Sequence, residues 1–441
     1  MLDGAPERGA GLLPHLGRGA LAIAVPQAVG MALSFALGLT LARWLGAADF
    51  GAYSYLLSWV GVLSLAGAFG TDALVARAVP AHAARGEWDV LRGTVRWATE
   101  VALLAAAAVA AMAVAAVALA GPGTGAGVRP WIVVAPLVVA MALARVQQAT
   151  LRGLHWPSAS QLPDTVVQPL VVLLVVAALR WGTGAAGTAT VALAVQAVAA
   201  AVALGVGAWL AHRALRGAVP PAAWAAPARR DGRASLAPAA RLFALGALGA
   251  LVARIDVLLL GALAGEAAVG PYAAALRGAA FVPIALNVAT VAMAPTLSRL
   301  HATGEHARMR LLVRRMTQLA LAGGVPVAVA LAVWGRDFLL LFGPGFDRAR
   351  PALAILCIGQ VANVAAGPVA TVLVATGNER EAVIGIGAAV GAMTGAGLLL
   401  IPRYGATGAA AAAALGLIVW NGLLRWFVRR RLAPAAHAVA A

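Results

Sequence analysis

Residues 250–265 read ALVARIDVLLLGALAG, an apolar helical run interrupted only by Arg254 and Asp256. Arg277 follows in the next apolar run. A charge held at the middle of a bilayer costs about 2.5–3.5 kcal/mol on insertion scales, so it must face water or a partner. Guanidinium in such a place suits phosphate chemistry, because its planar fork donates two parallel hydrogen bonds to phosphate oxygens. Arg254 and Asp256 are two residues apart and point to opposite sides of a helix, so they cannot form a simple pair. Either Asp256 pairs with Arg277 and Arg254 faces a wet cleft, or the two arginines exchange places. Both arrangements leave a net cation at one depth, roughly 20 Å of rise into the run. The competing reading is an intramembrane network that only ties two helices together. Arg43 is a second cationic candidate, set against simple snorkelling to the nearby interface. Asn287 is a weaker one, since single amides in such helices more often bond a neighbouring helix. Asp256 is also the first carboxylate to test for proton or sodium coupling.

These side chains need elements to hold them. The chain is 62% hydrophobic and 11% charged over 441 residues, whereas a soluble domain is about a quarter charged. Runs long enough to cross a bilayer fall at 19–44, 50–72, 97–120, 130–150, 161–181 and 186–211. The second half repeats this at 239–264, 268–297, 317–335, 350–375, 381–401 and 405–428. The fold class is therefore an all-α polytopic membrane protein with about twelve transmembrane helices. The formal charge of +17 comes entirely from arginines outnumbering acids. Those arginines gather at alternate connections, which is the positive-inside pattern and places both termini in the cytoplasm of a multi-pass inner-membrane protein. Topology and contact with anionic membrane lipids thus account for the basicity, and no nucleic-acid partner is called for. Residues 86–97 and 304–316 alternate apolar and basic positions at helical spacing and are expected to lie along the inner interface. The Arg- and Pro-rich segment 213–238 reads as a cytoplasmic linker between a lobe of residues 1–212 and a lobe of residues 239–441.

The two lobes repeat one another. Gly46, Gly51 and Tyr53 of LGAADFGAY fall on Gly265, Gly270 and Tyr272 of AGEAAVGPY. GEWDVLRGTVR at 86 aligns with GEHARMRLLVR at 304, and GAAG at 184 with GATG at 405. Each repeat holds six spans, so both copies enter from one side and their symmetry axis runs along the membrane normal. Two six-helix bundles facing each other leave a cleft between them.

The runs LARWLGAADFGAYSY, GTDALVAR and ARIDVLLLGALAG, followed by VGPYAAALR, resemble the polysaccharide-transport (Wzx-type) flippases. Those share a superfamily, the MOP exporters, with the MATE drug exporters and the lipid II flippases. The resemblance implies a V-shaped pair of lobes with alternating access and a polyprenyl-pyrophosphate-linked oligosaccharide as cargo. Polymerase and glycosyltransferases of the same polysaccharide pathway are the expected partners. The main rival is a cation-coupled multidrug exporter of the MATE type, whose pocket should be net acidic; here arginines accompany the few intramembrane acids. A membrane polymerase or ligase would need a catalytic outer loop, and the longest, GRDFLLLFGPGFDR at 335–348, is too short and apolar. GTGAAG at 182–187 lies between spans and lacks the acid a dinucleotide fold needs, no Walker A pattern occurs, and the seven histidines lack metal-ligand spacing. Neither an enzyme nor a cofactor is called for.

Overall fold

The computed structural model describes residues 12–120, 128–184, 187–224 and 251–432, together with residues 227, 228, 239, 243 and 249. Its elements in chain order are α1 (Leu12–Ala68), α2 (Thr71–Arg85), α3 (Trp88–Ala120), α4 (Val128–Gly153) and α5 (Pro157–Leu162). A π-helical turn, Pro163–Val167, leads into α6 (Gln168–Thr183), and α7 (Ala189–Ala218) completes the first half. The second half has α8 (Ile255–Ala264), α9 (Glu266–Ala279), α10 (Ile284–Ala302), α11 (His306–Val333), α12 (Gly335–Leu340), α13 (Arg350–Ala366), α14 (Val369–Ala375) and α15 (Glu379–Leu432). Among the described residues, eight helices are long and apolar enough to cross a membrane, and α9 with α10 forms one further span bent by 58°. This is an all-α polytopic membrane fold.

Most of the expected spans fall on these helices, and several of the breaks lie where the sequence carries glycine or proline. α1 holds the first two spans, divided at Gly46 (φ 73°, ψ 176°). Its repeat partner Gly265 has the same conformation (φ 85°, ψ 158°) between α8 and α9. A side chain is strained at that φ, so both repeats need glycine at this reversal. α15 holds the last two spans, divided at Gly405. Pro169 lacks the N–H that would bond the carbonyl one turn back, and just before it the helix widens into the π turn, where Gln168 N–H reaches Pro163 O. Pro283 ends the α9–α10 bend, and Pro368 opens α14 after the break at Gly367.

Two expectations are revised. Segments 86–97 and 304–316 are the opening turns of α3 and α11, continuous with the spanning helices. Their apolar positions are covered by protein: Leu91 (0% exposed) packs with Val75 and Val146, and Met309 (2%) with Met293 and Leu297. Nothing in either stretch stops a helix, and neighbouring spans already supply the apolar contact that lipid was expected to give. In the segment 213–238, α7 runs on to Ala218 and Pro221–Trp224 forms a 3-10 turn. Arg92 binds that turn through Ala223 O and stacks on Trp224, whose ring centre is 5.1 Å away. Most of the remainder, and the start of the seventh span, lies outside the described residues.

The halves meet chiefly through α1 against α9. Gly51 and Gly270, equivalent positions of the repeat, face each other: a Cβ on Gly270 would come within 2.0 Å of Ala47 O, and one on Gly51 within 2.2 Å of Glu266 O. Backbones approach this closely only where both residues are small. Beside this contact Phe35 of α1 inserts among Phe281, Phe338 and Phe342, with ring centroids 5.4, 6.1 and 5.8 Å away. Phe50 packs edge-on against Phe346 at 5.8 Å. At the other end of the span, Phe69 stacks on Phe243 at 5.8 Å, and a Cβ on Gly70 would meet Ala239 O at 2.1 Å.

Candidate functional site

The seventh span is not continuous through its charged residues. Residues 253 and 254 form a turn, and Arg254 (φ −136°, ψ −13°) stands at the N-cap of α8. Asp256 therefore lies in a first helical turn, where free N–H groups and the helix dipole favour a carboxylate. Its Oδ1 accepts from Val257 N–H at 2.8 Å and its Oδ2 from the Tyr272 hydroxyl at 2.7 Å. It is 7% exposed. The expected ion pair of Asp256 with Arg277, or with Arg254 in exchange, is thus corrected: helix N-terminus and phenol satisfy the carboxylate, and among the described residues neither arginine forms an ion pair. The sequence-based depth argument assumed one unbroken helix, and the break at Arg254 changes both directions.

The two arginines reach into the other half instead. Arg254 is exposed despite its apolar flanks, and its Nε lies 3.7 Å from where a Cβ on Gly61 of α1 would stand. Arg277 is half-buried in the last turn of α9, donates to Ala273 O at 3.1 Å, and lies 5.0 Å over the Phe50 ring. Its arm crosses α1 at Gly38, where a Cβ would come within 2.5 Å of Nε. The two guanidiniums are close enough to repel each other.

A third arginine completes the set. Arg145 of α4 is within electrostatic reach of Arg254 from the opposite half. It also attracts Asp164, which sits in the π turn and accepts from Gln148 Nε2. The sequence reading did not single out Arg145, although the signal was there: Arg145, Gln147 and Gln148 fall within the predicted fourth span, and Asp164 follows one connection later. Arg254 thus has two other guanidiniums within electrostatic reach, Arg277 of its own half and Arg145 of the opposite half. The two nearby carboxylates are each already held by a neutral donor. Guanidiniums gathered in this way can accept a multiply charged anion through more than one fork.

The remaining candidates lie apart. Arg43 donates from Nε to Leu341 O at 2.7 Å, tying α1 to the loop after α12 at the end of the bundle that holds Gly46. Asn287 is exposed in the first turn of α10, just past the 58° bend. The amides Gln360, Asn363 and Asn421 bond one another inside the second half, at 3.2 and 2.9 Å.

A family model described as polysaccharide biosynthesis protein matches residues 16–301, and the MatE model matches residues 247–394. None of the curated proteins matches the chain. Among solved structures, an inward-facing multidrug resistance MATE family transporter of the MOP superfamily superposes with a TM-score of 0.72 at 14% identity. That match covers 92% of this chain and 96% of the other. A MOP superfamily transporter from Pyrococcus furiosus, described as having a reversed binding-pocket polarity that suggests a different function, gives 0.66 at 14% identity over 95% and 96% of the two chains. The lipid II flippase MurJ in an inward closed conformation gives 0.69 at 11% identity over 93% and 87%. At such identities the likeness is one of fold.

Proposed function

The chain belongs to the polysaccharide biosynthesis protein family and has the fold of MOP-superfamily transporters, and from that premise we propose that it flips a polyprenyl-pyrophosphate-linked oligosaccharide across the inner membrane. One observation carries the reading. Arg254 has Arg145 and Arg277 within electrostatic reach, while Asp256 and Asp164 are engaged by Tyr272 and Gln148. A pyrophosphate offers several anionic oxygens on one short group, and guanidinium forks match it in charge and geometry. The lobes rock about the cleft between 1–212 and 239–441, both termini stay cytoplasmic, and polysaccharide-assembly enzymes supply and consume the cargo.

The multidrug-exporter reading requires a pocket that attracts cations, and the excess of guanidinium disfavours one. The Pyrococcus furiosus neighbour, whose description links a reversed pocket polarity to a different function, supports using polarity as the discriminator.

Translocation of a polyprenyl-pyrophosphate oligosaccharide should be measured in proteoliposomes carrying Arg254→Gln, Arg145→Gln or both. A charge-assisted hydrogen bond contributes about 1.5–3 kcal/mol, so each single change should slow transport about 10- to 100-fold. Full activity in the double variant, or export of a cationic dye with no lipid movement, would discard the proposal.

A further inference from the structure

A groove of about 400 Å³ opens on the second half between α11, the α13–α14 break and the end of α15. Arg310 and Arg314 border it from α11, Arg425 and Arg429 from α15, over a floor that includes Val313 and Val369. No lining residue comes from α1, α4, α8 or α9, so the groove is separate from Arg145, Arg254 and Arg277. We propose that it holds the phosphate of an anionic bilayer phospholipid, with the acyl chains on its apolar floor.

Charge placement argues for this occupant. Arg310 and Arg314 are one turn apart on one helix face, as are Arg425 and Arg429, and like charges at that spacing repel. Two basic residues at the same kind of helix end do carry acid partners: Arg96 pairs with Glu100, and Arg308, on the same helix α11, pairs with Glu305. The four groove arginines have no carboxylate within ion-pair distance among the described residues, and no acid lines the groove. Arg425 is fixed at the mouth by donating to Ala365 O at 3.3 Å, in the last turn before the α13–α14 break. That leaves the rest of its fork for a ligand. Leu311 and Leu319, on α11 beside Arg310 and Gln318, are 49% and 65% exposed, so an apolar surface on which chains can lie flanks the groove. An anion with an apolar tail satisfies both parts, whereas free phosphate satisfies only one.

The test is native mass spectrometry of the detergent-purified full chain, titrated with phosphatidylglycerol, phosphatidylcholine, inorganic phosphate or a synthetic polyprenyl pyrophosphate. The unsubstituted protein should retain phosphatidylglycerol over phosphatidylcholine. Arg314→Gln/Arg425→Gln should weaken that retention at least about tenfold, and Arg308→Gln, which removes the same kind of charge outside the groove, should not. Lysine at both positions should restore part of the binding, which separates lost charge from lost folding. Equal loss in the Arg308 control, no preference for the anionic lipid, or retention of inorganic phosphate or polyprenyl pyrophosphate alone would overturn the assignment.

Discussion

Tyr272 illustrates how single side chains set the site. Its ring is fully buried and its hydroxyl is the only side-chain donor to Asp256 among the described residues. Tyr272→Phe leaves a buried carboxylate oxygen unpaired, which should cost about 1–3 kcal/mol of stability in a detergent melt; an unchanged melting temperature would mean that Asp256 rests on its helix N-terminus alone. Glu305 gives a residue-scale pH dependence. Hydrogen bonds from Thr303, at 3.0 Å, and from Arg308 hold its carboxyl below the usual glutamate range. A depressed carboxylate stabilises the fold above its unfolded value, about 4.3, and that contribution fades as pH falls through the folded value. The melting difference between the native chain and Glu305→Gln should therefore be present at neutral pH and shrink in acid. A pH-independent difference would contradict this origin. Asp256 was legible as an intramembrane anion but its partner was not, since a phenol sixteen positions on leaves no charge signature.

At the scale of elements, glycine positions decide where helices reverse and where they touch. The repeat read from Gly46, Gly51 and Tyr53 reappears as geometry: Gly46 and Gly265 share one positive-φ conformation, and Gly51 lies against Gly270. Gly270→Ala pushes a methyl onto Ala47 O, backbone rather than a flexible side chain. It should destabilise the chain by about 1–3 kcal/mol or separate α1 from α9, read out as a lower melting temperature; a native-like melt would show that the helices slide apart freely. The breaks at Pro169, Pro283 and Pro368 fall where the sequence places proline. The break at Arg254 has no proline or glycine to announce it, so the seventh span was read as continuous.

For the whole molecule, the halves are joined at both ends of the span. Around Gly51 the joint is broad, with the Phe35 cluster and the Arg43–Leu341 hydrogen bond beside it. Among the described residues the other joint includes Phe69 against Phe243 and Gly70 against Ala239. Phe69 holds a left-handed φ of 49°, a strained conformation for a bulky residue, and the stack on Phe243 helps to keep it there. On the rocking proposed for the lobes, the strain at Phe69 marks this joint as one that yields. With Cys357 replaced, a disulfide between Phe69→Cys and Phe243→Cys should abolish transport until it is reduced. Transport that persists in the oxidised protein would place the moving gate elsewhere.

Composition and spacing alone determined the membrane class, most of the spans, the internal repeat and the presence of cations within apolar helices, because each follows from local apolar length and charge placement. Only the tertiary structure decided what those cations face: it brought Arg145 within electrostatic reach of Arg254, laid Arg277 across Gly38, and gave Asp256 to Tyr272. A linear sequence shows how far along a helix a charge lies. Which helix stands across from it depends on how the two halves dock.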